Sequence, residues 1–305
     1  HRFYLSHQAS NTTLAQETIF CLYDPRMCLL CNALRPAPSS PWSARRAFVL
    51  ASGAALAGPA WAQIDVGPPS SLRTLIPAEA LESAAAEQYH ELLAQARAKR
   101  ALAPDNHPQL LRLRAIARRL IPFAPQWNPR AAQWRWEVNL IGSKQINAFC
   151  MPGGKIAFYT GILDQLKLTD DEIAMIMGHE MAHALREHAR SRLAKSQATS
   201  IGLSLGAQLL GLGELGNMAA NLGTQLLTLK FSRSDESEAD LVGLELAARA
   251  GYDPQAAVSL WQKMGQATGN GGIGFLSTHP TGPDRIRELE QNVPKVQGLY
   301  LQSRR

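Results

Sequence analysis

The chain has 305 residues, 46% of them hydrophobic, and carries 31 basic and 25 acidic residues for a formal charge of +6. This is enough apolar material for a substantial core and enough length for one large domain or two small ones. Residues 1–62 hold five arginines against two acidic residues, while residues 63–305 hold 26 basic against 23 acidic. The larger part is therefore nearly balanced, with no electrostatic footprint for a nucleic-acid partner.

The first 44 residues precede an export-like segment and begin with His1 rather than Met, so they are expected to be a non-native or over-extended N-terminus. Cys21, Cys28 and Cys31 all lie there, and "CLLC" has no second pair with which to build a metal knuckle. Residues 45–62, "RRAFVLASGAALAGPAWA", read as a signal peptide. Arg45 and Arg46 form its charged region, a short apolar run follows, and "AWA" suits cleavage before Gln63. The arginine pair loosely resembles a twin-arginine signal. The expected location is a bacterial periplasm, with Cys150 the one cysteine left in the mature chain.

A linker is expected over 63–75, a catalytic domain over 76–295 and a short tail over 296–305. "AEALESAAAEQYHELLAQARAKRAL" is helical in composition, and "HPQLLRLRAIARRLIPFA" has the spacing of a second, amphipathic helix. Trp134, Trp136, Val138 and Leu140 alternate with polar residues, which predicts a strand. "NAFCMPGG" and "KIAFYTGIL" predict an edge strand, a turn and another strand.

Next comes "TDDEIAMIMGHEMAHALREH". Thr169 and Glu172 have capping-box spacing, so a helix starts there. Ile173, Ile176, Met177, Met181 and Leu185 recur at helical spacing. His179 and His183 are four apart on that helix, so both imidazoles converge on one point, and Glu180 lies where it can reach a metal-associated water. An ordinary charged helix leaves two convergent imidazoles on a largely apolar element without partners. A catalytic zinc needs a third ligand. The glycine and histidine that a metzincin requires are replaced by Arg186 and Ala189. His188, five residues beyond His183, points off the ligand face. Downstream, "SRSDESEADLVGLELAARAGYDP" predicts a helix over about 235–249, capped near Gly251. On it Glu236 and Asp240 share a face: the first could ligate a metal, the second could orient a ligand histidine. Alternatively, the acidic residues simply suit a solvated helix start.

The segment 201–229 is the most apolar, but its uninterrupted run from Ile201 to Gly213 is only 13 residues, too short for a membrane span. Helices packing over the site are expected, with peripheral membrane contact as the lesser alternative. "FLSTHPTGPDRI" is a Pro/Gly-rich loop carrying His279 and Arg285; a histidine or arginine beside a metal can stabilise an oxyanion, and alternatively His279 is an ordinary loop histidine and Arg285 an exposed helix-start residue.

"NAFCMPGGKIAFYTGIL", "GHEMAHALREH", "SRSDESEADLVG" and "FLSTHPTGPDRI", in that order, resemble the Oma1-like, CAAX-prenyl-protease-type zinc metallopeptidases, a gluzincin family. The resemblance covers about residues 76–290. It implies that His179, His183 and Glu236 ligate one Zn2+ and that Glu180 is the general base. It makes Asp240 the partner of a ligand histidine, places His279 and Arg285 facing the metal, and makes Asn147 a substrate-edge residue. The fold expected is α+β, helix-rich and zincin-like, with a small sheet beside the metal-binding helix. The function expected is a zinc endopeptidase acting on misfolded or misassembled envelope proteins. One alternative is a largely non-proteolytic, zinc-bound chaperone or assembly factor. A membrane-embedded prenyl-protein protease is disfavoured by the short apolar runs. His279 could instead cap the metal at rest.

Overall fold

The computed structural model describes residues 64–196, 226, 229–267, 274–279 and 283–304, all within a unit spanning 61–305. The expectations for residues 1–62, and for all of 201–229 except Leu226 and Leu229, fall outside the described residues.

The stretch expected as a linker is tied down from Ile64 onward. The Ile64 N–H donates to the buried carboxylate of Glu245 at 2.5 Å, and the Gly67 carbonyl accepts from Arg186 at 2.6 Å. Helix α1 (Ala78–Ala98) buries Leu81, Ala85, Tyr89 and Leu93, one per turn. The Tyr89 hydroxyl donates to the Ile156 carbonyl at 2.6 Å and accepts from Asn139 at 3.0 Å, fastening α1 to the sheet. Helix α2 (Pro108–Leu120) starts with proline in its first turn, capped by His107, and buries Leu110, Leu113, Ile116 and Leu120.

The sheet has three strands in the order β1-β3-β2. Strands β1 (Glu137–Ile141) and β3 (Lys155–Tyr159) are parallel, and β2 (Ala148–Met151) runs antiparallel to β3 from one side of the sheet. β1 begins later than the alternation predicts. The Trp134 and Trp136 indoles are bound instead to the Glu82 carboxylate and the Ala131 carbonyl, which holds their backbone off the ladder. The β2–β3 turn uses Gly153 and Gly154 at φ +82° and +76°, and a methyl on Gly154 would lie 2.7 Å from the Trp136 ring. The predicted third strand gives way at Thr160 to helix α3 (Thr160–Leu166), because the Thr160 hydroxyl and the Gly161 N–H both turn back to the Ser143 carbonyl.

Helix α4 (Asp170–Leu185) has the predicted capping box, with Thr169 and Glu172 exchanging bonds of 3.2 and 2.9 Å. It is buried on every side from Glu172 to Leu185. A turn at Arg186–Glu187 separates it from helical residues 188–196, here α5. Helix α6 (Arg233–Arg249) has its own capping box between Ser232 and Asp235, and Gly251 follows it at φ +78°. Helix α7 (Ala256–Ala267) is bound to the start of α4 by Ser259 and Lys263, which reach the Glu172 carboxylate at 2.9 and 2.7 Å. Helix α8 (Gly274–Thr278) is short, and α9 (Pro283–Ser303) absorbs most of the expected tail, burying Val296 and Leu299. No helix among the described residues is long and apolar enough to cross a membrane.

Helices α4 and α6 cross at two glycines. A Cβ on Gly178 would lie 2.8 Å from the Gly243 carbonyl oxygen, and one on Gly243 would lie 2.6 Å from the His179 nitrogen. Both obstacles are backbone, so neither can move without separating the helices. Gly243→Ala is expected to cost about 1–3 kcal/mol or more of unfolding free energy in denaturant titration. Gly265→Ala, where nothing lies within 4 Å of the added carbon in α7, should stabilise by about 0.5–1 kcal/mol. Equal effects of the two would show that the α4–α6 contact is not as tight as this.

Candidate metal centre

The glycine crossing brings the polar faces of α4 and α6 together. His179 and His183 project from α4, with Glu236 and Asp240 opposite them on α6. The third histidine, His279, follows α8, whose Phe275 N–H is held by the Ile146 carbonyl at 2.9 Å. Ligating atoms of His179, His183, Glu236 and His279 all lie within 4.8 Å of one another, and all four residues are buried. The Nε2 atoms of His179 and His183 are 3.1 Å apart, and His279 Nδ1 is 3.3 Å from His179 Nε2 and 3.0 Å from Glu236 Oε1. Glu236 Oε1 is 3.5 Å from His183 Nε2. Donors about 2.0–2.1 Å from a tetrahedral zinc are separated by about 3.3 Å, so spacing, burial and donor type all fit such an ion.

A ring of charge surrounds this cluster. Asp240 Oδ1 accepts from His179 Nδ1 at 2.9 Å, which leaves the His179 Nε2 lone pair facing inward. Arg285 grips Asp240 with Nε and Nη2 at 2.7 and 2.8 Å, and its Nη1 lies 2.8 Å from Glu236 Oε2. All three guanidinium nitrogens thus face the two carboxylates, and the guanidinium carbon sits 3.8 Å over the Trp261 ring. Burial acts to raise the pKa of Asp240 and Glu236, but Arg285 at the first and the His279 bond at the second outweigh it, so both carboxyls sit below their ordinary values. His183 is held well below the usual imidazole value, first by burial and then by the neighbouring imidazoles, so it is neutral, as a ligand must be.

Glu180 points to the same space. Its Oε1 is buried with no hydrogen-bond partner and lies 3.5 Å from His279 Nε2. Burial raises its pKa. His279 is raised despite burial, because the Glu180 and Glu236 charges favour its cation. Its ring stacks on Phe275 at 4.4 Å between centroids. Asn147 immediately precedes β2 and lines one cleft with Glu180, His183 and His279; its side-chain oxygen accepts from the Ala148 N–H at 3.0 Å.

The seven residues read from the sequence as catalytic, ligating or supporting are therefore brought together, with Asn147 at the rim. Two features were not legible. The helix does not continue past Leu185, so His188 does not point away: its Nδ1 lies 2.9 Å from His183 Nδ1. Phe231 stacks on the other side of the site, 3.9 Å from the His183 ring centroid, a contact no spacing rule forecasts.

Residues 109–293 match the sequence pattern of Peptidase family M48. Mitochondrial metalloendopeptidase OMA1 of Schizosaccharomyces pombe is 36% identical over 64% of this chain and 56% of its own length. Metalloprotease LoiP of Escherichia coli is 26% identical over 64% of this chain and 75% of its own. The Beta-barrel assembly-enhancing protease of Escherichia coli is 29% identical over 54% of this chain and 36% of its own. The chain thus spans about half the length of the yeast relative. Further mitochondrial OMA1 proteins match as well, and they correct the expectation of a periplasmic location. A basic, acid-poor N-terminus with a short apolar run suits an export signal, but organelle-targeting segments are likewise arginine-rich and acid-poor, so the composition does not select export. Two buried histidines and a glutamate around one point, on a sequence matched from Gln109 to Val293, lead to one conclusion: the chain belongs to Peptidase family M48.

Proposed function

We propose that this chain is a zinc-dependent endopeptidase in which His179, His183 and Glu236 hold the metal and Glu180 is the general base. The observation that carries the reading is the convergence of two imidazole nitrogens and a carboxylate beside a buried glutamate oxygen that has no hydrogen-bond partner. Zinc held there would supply Lewis acidity toward the scissile carbonyl and lower the pKa of water to about 7. Glu180 takes the proton of the attacking water at a carboxylate oxygen and delivers it to the departing amine. Asp240 fixes the His179 tautomer, and Arg285 holds Asp240 and Glu236 in place. Asn147, immediately before β2, is a contact for peptide laid along the cleft.

Protein substrates suit this reading. The name of the Escherichia coli Beta-barrel assembly-enhancing protease supports a role in the quality control of misassembled proteins. A second reading, a zinc-bound assembly factor that rarely turns over, is favoured by one observation: His279 Nδ1 already stands among the donors, 3.0 Å from Glu236. In the proposed enzyme the same contact makes His279 a cap that fills the fourth donor position until substrate enters.

Single changes of His179, His183 or Glu236 to Ala should each lower zinc content in elemental analysis, whereas Glu180→Gln should keep zinc and lose casein cleavage. Full zinc retention by Glu236→Ala would remove it from the ligand set, and substantial activity in Glu180→Gln would remove it as the base.

At confirmed zinc loading, His279→Ala should raise basal proteolysis, including self-cleavage. A fall of roughly 10²–10³ in casein cleavage would instead assign the imidazole to oxyanion stabilisation and end the cap.

A further inference from the structure

His179 has an evident orienting partner in Asp240, and nothing so far assigns one to His183. The geometry points to His188: we propose that its Nδ1 accepts the Nδ1–H of His183 and so holds that imidazole with Nε2 turned toward the metal. The inference rests on the reading of His183 as a ligand. A metal-ligating histidine commonly fixes its ring through the nitrogen that does not bind.

Three observations carry it. The two Nδ1 atoms are 2.9 Å apart and the rings meet edge to face at 75°, with both residues buried. A pair of imidazole nitrogens at that distance needs one proton between them. Nε2 of His183 faces His179 and Glu236, so His183 carries the proton on Nδ1 and His188 receives it. That fixes His188 as the Nε2–H tautomer, and its Nε2 lies 3.4 Å from Glu238 Oε2, longer than a well-formed bond but of the right polarity. Glu238 is itself ion-paired to Arg186.

Second, the backbone makes a special arrangement to bring His188 there. In an unbroken helix a residue five positions on lies about 140° around the axis. Here α4 stops, Glu187 takes φ +57°, and α5 restarts so that His188 turns back beneath His183. A glutamate in the left-handed region is uncommon. It is held by Arg73 at 3.2 Å and Arg190 at 2.8 Å.

Third, the arrangement repeats the one at the first ligand. His179 is backed by Asp240, which Arg285 grips; His183 is backed by His188, which leads to Glu238 and Arg186.

The test is zinc affinity of the full chain, measured by competition with a chromophoric chelator. His188→Leu removes the acceptor and should weaken zinc binding about 10- to 100-fold. His188→Asn places an acceptor oxygen the same number of bonds from the backbone and should recover most of that loss. Asn binding as weakly as Leu, or Leu binding as tightly as the wild type, overturns the proposal. His183→Ala is the reference: if it too binds zinc normally, the ligand reading itself has failed, and if it alone loses zinc, only the positioning role has. Should His188→Leu not fold, nitrogen-15 NMR of the zinc-loaded wild type decides. A proton on Nδ1 of His183 and on Nε2 of His188 is expected, and a proton on Nδ1 of His188 overturns the assignment.

Discussion

Two backbones pass at Gly178 and Gly243 with no room for a methyl group between them. Everything polar in the site depends on that passage. It lets α4 and α6 approach until the His179 and His183 imidazoles on one helix and the Glu236 carboxylate on the other share a volume that a single ion could fill, with Asp240 behind His179. Wider separation by the thickness of one side chain would leave two imidazoles and two carboxylates buried and mutually out of reach, a costly arrangement.

The approach also concentrates charge, and the molecule balances it locally. Arg285 answers both carboxylates while its guanidinium carbon sits over the Trp261 ring, so one guanidinium serves as counter-ion and as packing surface. Glu172 shows the same economy at the other end of α4. It closes the capping box and receives Ser259 and Lys263, which lock α7, and with it Trp261, to the start of α4. The supports of the site are shared between elements.

Much of this was legible from spacing. The four-residue interval in "HEMAH" and the same interval between Glu236 and Asp240 are helix geometry written as sequence, and both capping boxes lie on that geometry. The expected α+β, helix-rich architecture with a small sheet is present, and α4 packs beside it. What spacing cannot express are events at helix ends and between distant segments. The break at Glu187 requires a non-glycine residue in the left-handed region, which composition disfavours, so His188 reads as if on a continuous helix. Trp134 and Trp136 alternate like a strand because their indoles are half-buried, yet hydrogen bonds from those indoles, not the ladder, set their backbone. Arg285 was readable as part of the site, but a sequence does not say which partner a guanidinium chooses. The N-terminal composition was compatible with more than one destination, and only the relatives decided against export.

His279 joins the cluster from 100 positions beyond His179, compared with 61 for Asp240. Loop-closure entropy grows only with the logarithm of length, so the longer reach adds about 0.4 kcal/mol. Chain connectivity therefore neither delivers this donor strongly nor obstructs it. Its residence depends on a few local associations: the stack on Phe275, the Ile146 carbonyl beneath α8 and the Glu236 oxygen. Three of the four donors are thus set by the docking of two helices, and the fourth by contacts of α8 that are separate from that docking.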